Sequence, residues 1–424
     1  MSVKDASGDI VGRFQAAVGA SRSEHDDTIG LAVSGGGDSI ALMHLAARTR
    51  SPENLRVITI DHGLRPEARG EVALVASQAA SLGISHTAVG WAWDGRGNLQ
   101  AAAREGRWAA MRNWAAMHDL HEVWFGHTED DQVETVLMRL ARGSGVDGLT
   151  AMYPLTSRDE LCILRPLLEV ARADLRLWLK SEKIPWCDDP SNDDPRFDRV
   201  RARQMFAQLE TLGMTRKRLL QTVDHMQAAH VSLQRAALAF AKQHVRQDAG
   251  DLLLSPDALD LEKADAPRRV MAAAFAWVGS STYRPRFEQL LETVAQARKG
   301  ATVTLGGCIM TPDKNGTVRL MREAAATAST QRSMDHADAS GVFWDRRWFL
   351  EGPMQEGLIY KALGAGIKDC PKWRESGMPR TSLLASPSIW NGDALLAAPL
   401  AGLSNGWSAR IVADFHSSAF AIED

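Results

Sequence analysis

An apolar run, Ile29-Gly30-Leu31-Ala32-Val33, leads directly into Ser34-Gly35-Gly36-Gly37-Asp38-Ser39 and then into Ile40-Ala41-Leu42-Met43-His44-Leu45. No other feature of the chain constrains its fold as strongly. The succession predicts a buried strand, a glycine-rich turn and a helix that begins inside the turn. Glycines admit dihedrals closed to other residues and let an anion approach the main chain. The first N–H groups of a helix lack intrahelical partners and sit at the positive end of its dipole, so such a turn can cradle phosphate. The loop has no Gly-Lys-[Ser/Thr] ending, which points to a cradle for pyrophosphate rather than a grip on a γ-phosphoryl group. The plainer alternative is a βα turn in which Asp38 and Ser39 only cap the helix.

The alternation continues downstream. Strand-like runs at 28–33, 56–60, 86–91 and 122–125 are separated by helical patterns near 38–48, 66–82, 98–117 and 130–142. Near-continuous apolar strands alternating with helices predict an α/β fold with a parallel sheet covered on both faces. Ligands of such sheets sit beyond the carboxyl ends of the strands. Ser34–Ser39, Asp61-His62-Gly63 and Gly126-His127 all fall at those ends. A further helical stretch covers 172–183, turn-rich 188–194 follows, and 216–245 reads as one long helix. Helical patterns run on to about 298, with short strand-like runs at 302–305 and 317–321. The expected organisation is a nucleotide-binding domain over 22–213, a mostly helical domain over 214–323, an Ala/Ser/Thr-rich linker at 324–340 and a small mixed α/β domain over 341–424.

Composition narrows the function classes. The 424 residues are 45% hydrophobic and 24% charged, as in a globular chain, and suffice for two or three domains. Met1-Ser2-Val3-Lys4-Asp5 lacks a basic-then-apolar leader and no apolar stretch is long enough to span a bilayer, so the expected location is the cytoplasm, away from membranes. A formal net charge of −3 gives no global attraction to nucleic acid, so any such binding must use local patches. Cys162, Cys187, Cys308 and Cys370 form no C-x-x-C pair, which argues against a disulfide framework, a zinc ribbon or a cysteine-ligated cluster.

Charged residues cluster around the predicted strand ends. Asp61 and His62 suit either a nucleotide edge or a polar turn. Helical spacing after Gly126-His127 places Val133, Val136, Leu137 and Leu140 on one stripe, with Asp131 and Glu134 on the opposite face beside His127. Two such carboxylates suit a Mg²⁺ on phosphates or an ammonium group, unless the acids merely favour the helix dipole behind a Thr128 cap. Arg104 and Arg107 share a helix face. Arg199, Arg201 and Arg203 would share a side if extended and spread apart if helical. With Arg216-Lys217-Arg218 they form the most basic tract of the chain, a footprint suited to an RNA backbone.

Ser34-Gly-Gly-x-Asp38-Ser39 resembles the PP-loop of ATP-pyrophosphatases, which split ATP between its α- and β-phosphates to adenylate a substrate. Taken with Asp61–Arg65, Gly126–Thr135, Arg142-Gly143-Ser144-Gly145, Arg165-Pro166-Leu167-Leu168 and the segment 189–203, it resembles the tRNA(Ile)-lysidine synthetases over about residues 25–210. Leu305-Gly306-Gly307-Cys308 and Trp344-Asp345-Arg346-Arg347 fit that family's accessory region. Val200 replaces a usual Asn, Thr128 a frequent second His and Trp108 a frequent Tyr.

The resemblance implies ATP as substrate, bound by Ser34, Gly35, Gly36, Gly37, Asp38, Ser39, Asp61 and His62, with Mg²⁺ at Asp38. It implies catalytic roles for Asp38, His127, Arg104, Arg107 and Arg203, and L-lysine held by Asp131 and Glu134. It implies tRNA(Ile) with a CAU anticodon met by Asn192, Arg199, Arg201, Arg216, Lys217 and Arg218, its wobble cytidine adenylated and then joined to lysine. A homodimer is one possible assembly. The competing readings are a PP-loop tRNA thiolase and a non-catalytic tRNA-binding relative.

Overall fold

The first half folds as α1 (Val3–Val18), β1 (Ile29–Ala32), α2 (Gly37–Ala46), β2 (Leu55–Asp61), α3 (Ala68–Ser81), β3 (Ser85–Gly90), α4 (Leu99–Met117), β4 (Glu122–Phe125) and α5 (Glu129–Ala141). There follow α6 (Val146–Leu149), β5 (Leu155–Arg158), β6 (Leu161–Leu164), α7 (Arg172–Ser181), α8 (Asp198–Glu210) and α9 (Arg216–His244). This computed structural model describes residues 3–420, apart from 25, 62–67, 91–98, 159–160, 189–193, 282, 314, 334–340 and 413.

The strands form one six-stranded sheet in the order β3-β2-β1-β4-β6-β5. All neighbours run parallel except the edge pair β5 and β6, a short hairpin that apolar periodicity does not reveal. The chain leaves β1 toward β2 and β3, then returns to the other side of β1 as β4. The crevice between the carboxyl ends of β1 and β4 is therefore the topological switch point, where α/β sheets bind ligands.

Burial explains why the elements hold. Ile29 and Leu31 of β1 are fully buried, packed with Leu42 of α2 and Trp178 of α7. Helix α1, unanticipated in the sequence, adds Ile10 and Phe14 to the same core. Gly30 keeps α4 close to the sheet: a Cβ there would lie 2.9 Å from the Trp114 ring and from Val123. On α5, Val133, Val136 and Leu137 are buried as expected, against Ala202 and Phe206 of α8 and Leu219 and Val223 of α9. Leu140, expected on that stripe, is instead 52% exposed and lies outside the cluster that covers the other three.

The chain divides into two compact units, with the change at residues 230–231 inside α9. Residues 216–230 stay with the first unit, where Leu219 and Val223 close its helical layer.

In the second unit a five-stranded sheet runs β7 (Val245–Asp248), β8 (Asp251–Leu254), β11 (Val318–Arg322), β10 (Cys308–Pro312), β9 (Val303–Leu305). It is antiparallel throughout, and α10 (Asp265–Val278) and α11 (Phe287–Arg298) share its core. The helices of 214–323 thus share that stretch with a sheet, in which Leu252, Leu254, Val318 and Leu320 bury alternate side chains. Within 324–340, β12 (Arg332–Ser333) pairs with β15 (Leu358–Ala362), so that segment is not all linker.

Two small antiparallel sheets complete the unit. One holds β12, β15, β16 (Pro387–Asn391) and β17 (Ala394–Ala397); the other holds β13 (Val342–Trp344), β14 (Trp348–Glu351) and β18 (Ser408–Ile411). Trp344-Asp345-Arg346-Arg347 is the turn between β13 and β14, with Asp345 and Arg346 at φ 45° and 56°. The buried Asp345 carboxylate takes Arg322 at 3.1 Å and Arg347 at 3.6 Å, which pins the hairpin to β11. No helix among the described residues is long and apolar enough to cross a membrane.

Candidate active site

The glycine-rich turn joins β1 to α2. Gly35 has φ 95°, in the left-handed region that favours glycine, and a Cβ there would press on Glu71 at 3.2 Å. The Ser39 hydroxyl staples the turn: Oγ donates to the Gly36 carbonyl at 2.9 Å and accepts from the Ser34 N–H at 3.1 Å. From outside, the Cys187 N–H donates to the Gly35 carbonyl at 3.0 Å, and Trp186 lies against Gly37. Gly36 is the N-cap of α2 and has no side chain to satisfy the first N–H groups. The turn therefore presents main-chain donors at a positive helix end.

Strand β4 ends directly against this turn. A Cβ on Gly126 would lie 2.9 Å from the Asp38 carbonyl oxygen and 3.1 Å from the Ser39 Cα. Both obstacles are backbone, so Gly126→Ala is expected to displace the turn. It should lower affinity for ATP by tenfold or more (about 1.4 kcal/mol) while β4 stays folded. Nucleotide titration of the variant checks this; unchanged affinity would mean that the turn tolerates the shift.

Helix α5 starts with a reciprocal cap. Asp131 Oδ2 accepts from the Thr128 N–H and hydroxyl, each at 2.8 Å, so Asp131 is both cap partner and site residue. Asp131 and Glu134 are only 5% and 3% exposed, which demands compensating cations. Arg172, the first residue of α7, supplies one. Its Nε donates to Asp38 Oδ2 at 2.8 Å, and its terminal nitrogens stand 3.4 Å from Asp131 Oδ1 and 3.4 Å from Glu134 Oε1. Helix α8 supplies two more: Arg203 reaches Glu134 Oε1 at 2.9 Å and Arg199 reaches Asp131 Oδ1 at 3.3 Å. The helical form of 198–210 settles the arginine spacing. Arg199 and Arg203, four apart, turn inward, while Arg201 turns out toward Asp198 and the carbonyls of Pro195 and Arg196.

Protonation follows from this wiring. Burial raises the Asp38 carboxyl above its ordinary value despite the opposing pull of Arg172. Burial also pushes Asp131 up, but Arg172, His127, Arg199 and the Thr128 N–H together hold it below the usual carboxylate range. Arg172 stays above the ordinary guanidinium value, since Asp38, Asp131 and Glu134 outweigh its desolvation. His127 is half-buried and stacks on Phe125, with ring centroids 5.6 Å apart and planes 5° apart.

Other expected residues distribute as follows. Asp61 ends β2 at the same edge of the sheet, half-buried. Arg216 is drawn inward, its guanidinium 2.7 Å from Asp130 and 3.5 Å from Glu129, so it neutralises the start of α5. Lys217 and Arg218 are exposed, and Arg218 also donates to the Gly213 carbonyl at 2.7 Å. Arg107 is exposed on α4, and Arg104 lies one turn earlier on the same helix. His62 and Asn192 lie outside the described residues. Among the described residues no group of three or more His, Cys, Asp or Glu side chains could hold a metal ion.

Arg172 is the site residue that motif spacing misses. A signal was present: a cation at the first position of a helix opposes the helix dipole and needs negative partners nearby. The Arg172 N–H itself donates to Asp130 Oδ2 at 2.8 Å.

Comparison with known proteins gives the family. The PP-loop domain family matches residues 10–210. A tRNA(Ile)-lysidine synthase from Ruegeria pomeroyi is 42% identical over 397 residues, covering 92% of this chain and 93% of that protein. One from Hyphomonas neptunium is 36% identical over 70% of this chain and 83% of its own length. One from a Bradyrhizobium strain is 36% identical over 64% of this chain and 80% of its own length. Identity of 42% along almost the whole length of both proteins, with a PP-loop domain over the half that carries the glycine-rich turn, places this chain in the tRNA(Ile)-lysidine synthase family.

Proposed function

We propose that this chain joins free L-lysine to C2 of the wobble cytidine in the CAU anticodon of tRNA(Ile), using ATP and passing through an adenylated cytidine. One observation carries the reading. Asp38 of the phosphate-cradling turn and the Asp131–Glu134 pair share a single arginine, so a polyanion site and a cation site meet in one cleft.

The chemistry has two displacements. The cytidine O2 attacks the α-phosphorus of ATP, the bond to the bridging oxygen breaks, and pyrophosphate leaves with that electron pair. Main-chain donors of the 34–39 turn, with Arg104 and Arg107, stabilise the charge on the leaving group. Then the neutral ε-amine of lysine attacks C2, the C2–O bond breaks and AMP leaves. Asp131 and Glu134 hold and orient the lysine ammonium, His127 takes the proton whose loss frees the amine to attack, and water takes the proton that the nitrogen sheds once it is bonded to C2. Arg203 fixes the Glu134 carboxylate for that task. Asp38 would hold a Mg²⁺ beside the phosphates, as a single carboxylate suits this ion. When bound, Mg²⁺ offsets the negative charge of the triphosphate.

The tRNA must splay its anticodon base into this cleft. Exposed Arg201, Lys217 and Arg218 on α8 and α9 provide phosphate contacts nearby, with Asn192 and Arg199 at the anticodon, and the second unit grips the tRNA body. Alanine at Arg201, Lys217 and Arg218 together should lower tRNA affinity and flatten the plot of log affinity against log salt by roughly 0.7–0.9 per lost phosphate contact. An unchanged slope would remove these residues from the interface. The reaction takes place in the cytoplasm, where tRNA, ATP and free lysine occur together, and the enzyme works as a homodimer if both copies are needed to hold one tRNA. The direct test is AMP release from ATP as lysine and tRNA are added separately and together. The reading requires release that depends on both, and release independent of lysine contradicts it.

A further inference from the structure

Among the described residues, the direct ion pairs of the acid cluster balance. Asp38, Asp131 and Glu134 face Arg172, Arg199 and Arg203, three negative groups against three positive ones. A lysine ammonium brought to Asp131 and Glu134 would add a fourth cation where those carboxylates are only 5% and 3% exposed. Like charges repel strongly in such weakly screened surroundings. A triphosphate in the 34–39 turn reverses the imbalance, because it attracts guanidinium groups. Arg172 is the arginine bound to both halves, firmly to Asp38 at 2.8 Å and loosely, at 3.4 Å, to each lysine-site carboxylate. Arg203, at 2.9 Å from Glu134, and Arg199, at 3.3 Å from Asp131, hold the same two carboxylates from α8.

We propose that Arg172 is a positioning residue that changes partners: without nucleotide it occupies the Asp131–Glu134 pair, and ATP draws it away to open that pair to lysine. The proposal rests on the lysine site assigned above. It predicts that nucleotide and lysine strengthen each other's binding, reciprocally, before any tRNA is present.

The experiment measures L-lysine affinity of the full chain by calorimetry, with and without Mg²⁺ and α,β-methylene-ATP, which cannot be split at the reacting bond. The variants are Arg172→Met, Arg172→Gln and Glu134→Gln. In the parent chain the nucleotide should tighten lysine binding about tenfold, within the usual 5–150-fold range of site coupling. Both Arg172 variants should bind lysine more tightly than the parent without nucleotide, bind the nucleotide more weakly, and lose most of the coupling. A purely structural role would weaken both ligands together, and that outcome overturns the proposal. So does coupling that survives in the Arg172 variants, or coupling absent from the parent while Glu134→Gln still loses lysine binding. If Glu134→Gln leaves lysine affinity unchanged in both states, the lysine site itself is misassigned and the proposal falls with it.

Discussion

Asp38→Asn is expected to reduce tRNA-dependent ATP–pyrophosphate exchange by about 10²–10³-fold, the usual loss when one preorganised electrostatic group is removed from a reacting centre. Asparagine is nearly isosteric and keeps an oxygen to accept from Arg172 Nε, now 2.8 Å from the carboxylate. What it removes is the negative charge that Arg172 pairs with and that a bound Mg²⁺ would use. A melting temperature close to that of the parent, with exchange lost, would place the effect in the chemistry. Near-normal exchange would take Asp38 out of the mechanism.

Glu134→Gln should separate the two half-reactions. Its carboxylate is buried and held by Arg203 at 2.9 Å, so its position survives the change. A hydrogen bond to a charged group contributes about 1.5–3 kcal/mol, and each 1.4 kcal/mol is tenfold. The KM for lysine should therefore rise by roughly 10–100-fold, while exchange, which precedes lysine attack, changes little. Steady-state titration of lysine and ATP against AMP formation reads both constants. An effect confined to the KM for ATP would move Glu134 to the nucleotide or its metal.

Sequence legibility followed from the range of the forces involved. The turn after β1 was readable because glycine dihedrals, an apolar strand and a helix start are local demands, and β1, β2, β3 and β4 needed only apolar runs. The faces of Asp131 and Glu134 followed from helical spacing. Their partners did not, since Arg172, Arg199 and Arg203 reach them from separate helices through tertiary packing. Arg216 shows the same limit: its sequence neighbours Lys217 and Arg218 suggested a nucleic-acid patch, yet it neutralises Asp130 at 2.7 Å. Leu140 lost its place on the apolar stripe because periodicity cannot tell where a covering helix ends. The runs at 302–305 and 317–321 read as strands, but Val245–Asp248, Asp251–Leu254 and Cys308–Pro312 were hidden, because each is only four or five residues long and draws its stability from antiparallel partners.

The central claim is that one cleft transfers lysine to a specific cytidine at the expense of ATP. The most direct measurement incubates the chain with labelled lysine, ATP, Mg²⁺ and a transcribed tRNA(Ile) bearing CAU, followed by nuclease digestion and mass spectrometry of the anticodon fragment. The account predicts one lysine per tRNA, located on the wobble cytidine, with AMP and pyrophosphate formed in equal amounts and no transfer when that base is uridine. ATP splitting that leaves the wobble cytidine without lysine, or lysine found on another base, would contradict it.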